Sequence, residues 1–188
     1  MRCFLAIELP EDVRVRLEQL QDRFRALGRA VRWTRPAHIH LTVKFLGDVA
    51  DDRLGTVCEK TSSVAGRISS FSLTVAGTGC FPPKGPARVV WAGIAEPPEA
   101  LIEGQARLER AFAALGFAPE HRPYRPHLTI GRVRDAGASR RIRPAVEAQG
   151  DFAGGSFVVN ELVLFQSVLE PTGAIHSIVS RARLGEGA

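Results

Sequence analysis

"HLTVKFLG" (His40 to Gly47) and "HLTIGRV" (His127 to Val133) both open with His-Leu-Thr and a β-branched residue, 87 positions apart. Apolar residues at every second place make each a strand with one face in the core. Strict alternation puts His40, Thr42, Lys44 and Leu46 on one face of the first strand, and Leu41, Val43 and Phe45 on the other. In the second strand it groups His127 and Thr129 with Gly131, and leaves Arg132 on the opposite side unless a bulge at Gly131 intervenes. A strand with one polar, histidine-bearing face needs its other face covered, and the surrounding sequence supplies the cover.

"RCFLAIELP" reads as an opening strand with Phe4, Ala6 and Glu8 on one face and Cys3, Leu5 and Ile7 on the other. Pro10 and Glu11 then open a helix whose stripe of Val13, Leu17, Leu20, Phe24 and Leu27 runs to Gly28. After "HLTVKFLG", Asp51 or Asp52 is expected to cap a second helix reaching about Gly66, with Leu54, Val57, Thr61 and Val64 inward. "FSLTVAGTGCF" and "ARVVWAGI" form two strands across the turn "PPKGP". From Glu96 the order begins again: a helix to Leu115, "HLTIGRV", a helix around Ile142 to Ala148, then two strands, "SFVVNELVLFQS" and "AIHSIVSRARL". The closing "GEGA" is expected to fray. The repeated order predicts an α+β fold of two pseudo-symmetric lobes, each an antiparallel sheet with helices on its outer face. They form one domain over 1–188, with approximate halves 1–95 and 96–188 and both His-x-Thr pairs lining a central cleft.

The composition is that of an ordinary globular chain, with 45% hydrophobic and 24% charged residues among 188, which excludes wholesale disorder. No apolar run approaches the ~18 residues of a membrane span, and the N-terminus lacks the pattern of a signal peptide. Cys3, Cys58 and Cys80 are odd in number and widely spaced, which fits free thiols and a cytoplasmic protein. The net charge of +5 favours a polyanionic partner, although lysines supply only three of the 25 cations.

Two histidines, each two residues from a threonine on the same strand face, place an imidazole and a hydroxyl about 7 Å apart along each backbone. Four such side chains suit one tetrahedral anion: the imidazoles exchange protons near neutral pH while the hydroxyls donate to its oxygens. A strained five-membered cyclic phosphate is the fitting client, since its hydrolysis needs one proton removed from water and one delivered to the leaving oxygen. Lys44 shares the expected polar face and would offset phosphate charge. Competing readings are two structural histidines, and a zinc site built on the His38-Ile39-His40 spacing. The second is disfavoured because only His121, His127 and His176 remain as further histidines, so His38 is read as a loop-edge residue. Phe45 and Trp91 are assigned to core packing, and Phe81, beside Pro82, is the better base-stacking candidate. Arg140, Arg141 and Arg143 are either a solvated face or a backbone-tracking run.

"HLTVKFLG" and "PHLTIGR" resemble the paired H-x-[TS]-x motifs of the two-histidine phosphoesterases, and above all the bacterial RNA 2′,3′-cyclic phosphodiesterases, also called 2′-5′ RNA ligases. The resemblance extends to "RCFLAIELP", to "GTGCFPPKGPARVVWAGI" and to the S-x-L-x-x-x-G pattern in "QSVLEPTGAIHSIV". It implies a bilobal α+β fold with no metal or cofactor. The implied activity opens RNA 2′,3′-cyclic phosphate ends to 2′-phosphates, with weak reversible 2′-5′ joining. By the same resemblance His40 is the proton donor and His127 the proton acceptor, while Thr42, Thr129 and Arg132 hold the phosphate. The implied partner is an RNA or oligonucleotide end, with no membrane, and the protein is expected to be a monomer. His176 stands where the family often has tyrosine.

Overall fold

Pro10 and Pro98 stand at equivalent places, each with extended backbone and a glutamate following, and each starts a helix. A fixed φ and a missing N–H suit the helix start, and the acidic side chains favour the positive end of the helix dipole. The computed structural model describes residues 1–170 and 173–185. Its elements are β1 (Arg2–Glu8), α1 (Glu11–Arg23), β2 (Val31–Trp33), β3 (His40–Asp48), α2 (Leu54–Ala65), β4 (Phe71–Phe81), β5 (Val89–Ala95), α3 (Glu99–Ala113), β6 (His127–Val133), α4 (Ser139–Glu147), β7 (Ala153–Val159), β8 (Glu161–Glu170) and β9 (Gly173–Arg183), joined in places by short 3-10 turns.

The helical stripes bury as the periodicity requires: Val13, Leu17 and Leu20 from α1, Val57 and Thr61 from α2, Leu101, Leu108 and Phe112 from α3, Ile142 and Val146 from α4. Gly104 joins the stripe of α3 because a Cβ there would lie 2.9 Å from Ile68 Cδ1, so the helix approaches its neighbour where only glycine fits. Three boundaries differ from expectation. α1 stops at Arg23 and a 3-10 segment carries the buried Leu27 to Gly28, whose φ of 57° breaks the helix. Asp51 and Asp52 lie in a 3-10 turn and make no side-chain cap; α2 starts after them at Leu54. "SFVVNELVLFQS" is two strands separated at Asn160, not one. Of the terminal "GEGA", Gly185 bridges to Ser69, and 186–188 lie outside the described residues, as do 171–172 within the S-x-L-x-x-x-G segment.

The strands make one antiparallel path, β7-β4-β5-β6-β3-β1-β8-β9, with β2 also on β6. The expected α+β architecture holds, but the lobes are two halves of one sheet, because β3 and β6 are paired through Leu41 and Leu128. The halves also exchange strands. β4, which follows the first motif, sits with β5 and β6, and β8, which follows the second, sits with β1. All four helices pack against the face that buries Leu5, Ile7, Leu41, Val43, Leu128 and Ile130. That leaves the other face of the central strands open, and the cleft is this open face. Among the described residues no helix is long and apolar enough to cross a membrane.

Candidate active site

Leu41 and Leu128, the residues just after the two motif histidines, are antiparallel partners at the seam. Continuing that register by one residue each way brings His40 beside Thr129 and Thr42 beside His127, and all four half-buried side chains share the open face. Each histidine is held in the same way. The Nδ1–H of His40 donates to the carbonyl of His38 at 2.9 Å, and that of His127 to the carbonyl of Arg125 at 2.7 Å. A carbonyl only accepts, so each neutral ring keeps its proton on Nδ1 and leaves the Nε2 lone pair available.

Beyond the threonines the strands depart from strict alternation, and they do so at equivalent positions. In β3 the partners of Leu5 and Ala6 are Lys44 and Thr42, so Val43 is an extra residue. In β6 the partners of Val90 and Trp91 are Gly131 and Thr129, so Ile130 is extra. Each bulge shifts the parity of the residues after it. Arg132 therefore joins His127 and Thr129 on the open face, through a bulge whose extra residue is Ile130, one place before the Gly131 position expected from the sequence. A Cβ on Gly131 would lie 2.6 Å from Val31 Cγ1 and 2.8 Å from the Trp33 ring, so glycine is what lets the buried side of this bulge close.

The same shift overturns two assignments in β3. Lys44 does not share the open face with Thr42; it is buried on the helix side, where its Nζ meets the Glu109 carboxylate of α3 at 2.7 Å. Phe45 is not core: it is 65% exposed on the open face, its ring 6.0 Å from that of Phe4.

Both bulges rest on a polar side chain from the helix beneath. Gln21 of α1 is buried and its Nε2 donates to the carbonyls of Ile130 and Thr34. Glu109 of α3 accepts from Lys44, and each of the two lies ten residues after the glutamate that opens its helix. Tyr124 adds a third strut, its hydroxyl donating to the carbonyl of Thr42. Sequence reasoning missed all three. A glutamine and a glutamate adjoining the apolar stripes of two helices were the available signal.

Around His40 the floor is aromatic: the Phe4 ring stacks on it at 4.8 Å, Phe165 stacks on Phe4 at 5.3 Å, and His176 meets His40 edge-on at 5.2 Å. Around His127, Phe81 makes an edge contact at 4.8 Å and leans on Trp91 at 5.4 Å. Phe81 is thus at the site, at the end of β4. Trp91 is half-buried opposite Thr129 and covers Gly79, so it floors the open face instead of filling the core. Arg143 is a structural tie, its guanidinium donating to the carbonyls of Pro82, Pro83 and Gly85 in the β4–β5 turn. His121 is exposed, as expected.

The description LigT like Phosphoesterase belongs to a family model that matches the chain twice, over residues 7–91 and 93–176, once for each His-x-Thr strand. The chain belongs to this family. A protein of Methanothermobacter thermautotrophicus named RNA 2′,3′-cyclic phosphodiesterase is 33% identical over 184 residues, 98% of this chain and 99% of that protein. The crystal structure of TT0787 of Thermus thermophilus matches the full length of both chains with a TM-score of 0.84 at 27% identity. That of E. coli LigT complexed with 3′-AMP covers 97% of each chain with a TM-score of 0.73 at 29% identity.

In this LigT-like phosphoesterase the surroundings push both motif histidines toward the neutral state. Burial lowers His40 to about 4, with His176 and His38 adding to the shift and the bond to the His38 carbonyl opposing it. Burial also lowers His127, the Arg125 carbonyl opposes, and Arg132 adds to the lowering. Burial and then His38 lower His176. His38 ends a 3-10 turn and lies 6.0 Å from His176 ring to ring. Among the described residues no group of three or more His, Cys, Asp or Glu side chains is placed to hold a metal ion.

Proposed function

We propose that this LigT-like phosphoesterase opens the 2′,3′-cyclic phosphate at the end of an RNA or oligonucleotide to a 2′-phosphate, by paired-histidine acid–base catalysis. The observation that carries the reading is the matched tautomer of His40 and His127. Two imidazoles on adjacent strands, each with Nδ1 tied to the carbonyl two residues earlier, present two Nε2 atoms of opposite duty to one phosphorus. His127 takes the proton of the attacking water and His40 protonates the departing 3′ oxygen, each transfer worth about 10²- to 10⁴-fold. Thr42 and Thr129 donate to the non-bridging oxygens, and Arg132 on the same face offsets their charge. Phe81, against His127, flanks the bound end. The acid must carry a proton that burial disfavours, and the phosphate anion itself restores it by stabilising the imidazolium.

The reading needs no metal or cofactor, because proton transfer and ring strain supply the rate. It allows the reverse 2′-5′ joining as a weak activity, and it places a monomer in a reducing cytoplasm, with Cys3, Cys58 and Cys80 unpaired. The test is turnover of an oligonucleotide ending in a 2′,3′-cyclic phosphate, with and without EDTA, by the wild type, His40→Ala and His127→Ala. Release of a 2′-phosphate that survives EDTA and falls at least a hundredfold in each folded variant is expected. Binding without turnover would make the protein an RNA-end binding module, and loss of activity in EDTA would make His38 and His40 candidates for metal ligation.

A further inference from the structure

The two halves of the site share their histidines and threonines, and beyond them the side chains turned to the open face differ at a matched position. With Leu41 paired to Leu128, the seam relates the first motif to the second by a local twofold. Both histidines are anchored identically, and both strands bulge at the fourth residue of the motif. A phenylalanine also lies close to each histidine ring, Phe4 by His40 and Phe81 by His127. Five places after each histidine the bulge turns a side chain to the open face. In one half it is Phe45 and in the other Arg132.

These are opposite chemistries in matched places. Phe45, at 65% exposure, is the only aromatic among the large hydrophobic residues described as exposed. Arg132 is exposed too, and its cross-strand neighbour is Arg32. A cyclic nucleotide end is just as unequal: a base with an apolar face on one side and an anionic phosphate on the other. A solvent-facing phenyl ring stacks a base, which is worth about tenfold or more in affinity, whereas a guanidinium forks phosphate oxygens.

Resting on the function proposed above, we infer that Phe45 and Arg132 are specificity-determining residues that set which way round the cyclic phosphate lies, and so which histidine is the acid. With the nucleoside over Phe45, the ribose oxygens lie on the side of His40, and water enters from the side of His127 and Arg132. The water oxygen bonds to phosphorus as the P–O3′ bond breaks. One water proton passes to Nε2 of His127, and the proton on Nε2 of His40 goes to O3′, giving a 3′-hydroxyl and a 2′-phosphate.

A substrate turned by half a revolution gives the same product with the histidines exchanged, so product analysis is blind to direction. A substrate with sulfur in place of the bridging 3′ oxygen is not. A thiolate leaves without a proton, so only the acid histidine becomes dispensable. For the wild-type background, His40→Ala should lose about 10²- to 10⁴-fold on the oxygen substrate and less than about tenfold on the sulfur one, while His127→Ala loses on both. In a Phe45→Arg/Arg132→Phe background the pattern should invert. Phe45→Arg alone puts an arginine in both halves, and sulfur should then rescue the two histidine variants to comparable extents. Both side chains are exposed, so these exchanges leave the core intact, which circular dichroism would verify. A wild-type pattern persisting in the exchanged protein would overturn the inference. So would a folded exchanged protein inactive on both substrates, because matched positions must be interchangeable. A wild-type protein that turns over neither substrate would overturn the proposed function itself and the inference with it.

Discussion

His40 carries the clearest electrostatic signature in the molecule. Its ring is packed among Phe4, Phe165 and His176, and burial brings it from 6.5 down to about 4. The sign for stability is set by that lowering. Above pH 6.5 the ring is neutral in both folded and unfolded chains and contributes no pH dependence. As the pH falls from 6.5 toward 4 the unfolded chain takes up the proton first, so the folded state loses stability through that window, by up to about 3 kcal/mol for this group. Urea unfolding at pH 7 and pH 4.5 should show the wild type losing more than His40→Gln; equal losses would mean that His40 is not held neutral by the fold. His127 and His176 are lowered too, so a shallower slope of the same sign should remain in the variant. Activity responds differently. For kcat/KM, which reports the free protein, one imidazole must be protonated and the other neutral, and both start below the ordinary histidine value. The profile should be a bell with its maximum below pH 6.5, and the bell for kcat should lie higher because bound phosphate stabilises the imidazolium. A kcat/KM that still rises past pH 9 would rule out the paired-histidine scheme.

At the level of strands and helices the chemistry depends on two bulges, each held from below. Lys44 and Glu109 form a buried pair under the bulge in β3, and Gln21 satisfies the carbonyl of Ile130 in the bulge of β6. Removing one partner of a buried ion pair leaves an uncompensated charge, whereas replacing both by apolar groups is close to neutral. Glu109→Leu should therefore cost about 3–5 kcal/mol, and Lys44→Met/Glu109→Leu should recover most of it, as read by chemical denaturation. The folded double variant should turn over cyclic phosphate within a few fold of wild type. A loss of a hundredfold or more would return Lys44 to the phosphate. Gln21→Leu strands the Thr34 carbonyl and leaves that of Ile130 with the Thr34 N–H alone, a cost of about 1–3 kcal/mol, and it should lower turnover through the displaced Arg132 more than through lost fold. These contacts mark the limit of what the sequence shows. Period-two alternation located β3 and β6 and grouped the histidines with the threonines. A bulge adds one residue to that count, and alternation alone then sends Lys44 to the phosphate and Phe45 to the core. Gly131 gave warning, since a glycine within a strand signals a bulge or a close approach. Val43 and Lys44 gave none, because a lysine in an amphipathic strand reads first as a solvated side chain.

The two halves of the chain fold into one object because they exchange strands. Residues 1–95 provide β1 and β3 but leave β8 and β9, which extend that end of the sheet, to the second half. They also provide β4 and β5, whose outer neighbours β7 and β6 come from the second half. The exchange was not legible from the repeated order of elements, since that order is the same whether each half keeps its strands or lends them. Its physical consequence is that neither half alone can cover its sheet edges or close its core. On this ground we propose that the chain folds as one cooperative domain. Trp33 and Trp91 both lie in the half of the sheet built from β7, β4, β5 and β6 with β2 beside it, whereas the helices that dominate far-ultraviolet circular dichroism are spread over both halves. Urea transitions followed by tryptophan fluorescence and by circular dichroism should coincide. A fragment of residues 1–95 should be unstructured alone and regain both helicity and phosphodiesterase activity when co-expressed with 96–188. Two separated transitions, or a folded isolated half, would show instead that each motif strand sits in a lobe stable by itself. The Leu41–Leu128 seam would then be a hinge, and the distance between the two histidines would vary with the motion of the lobes.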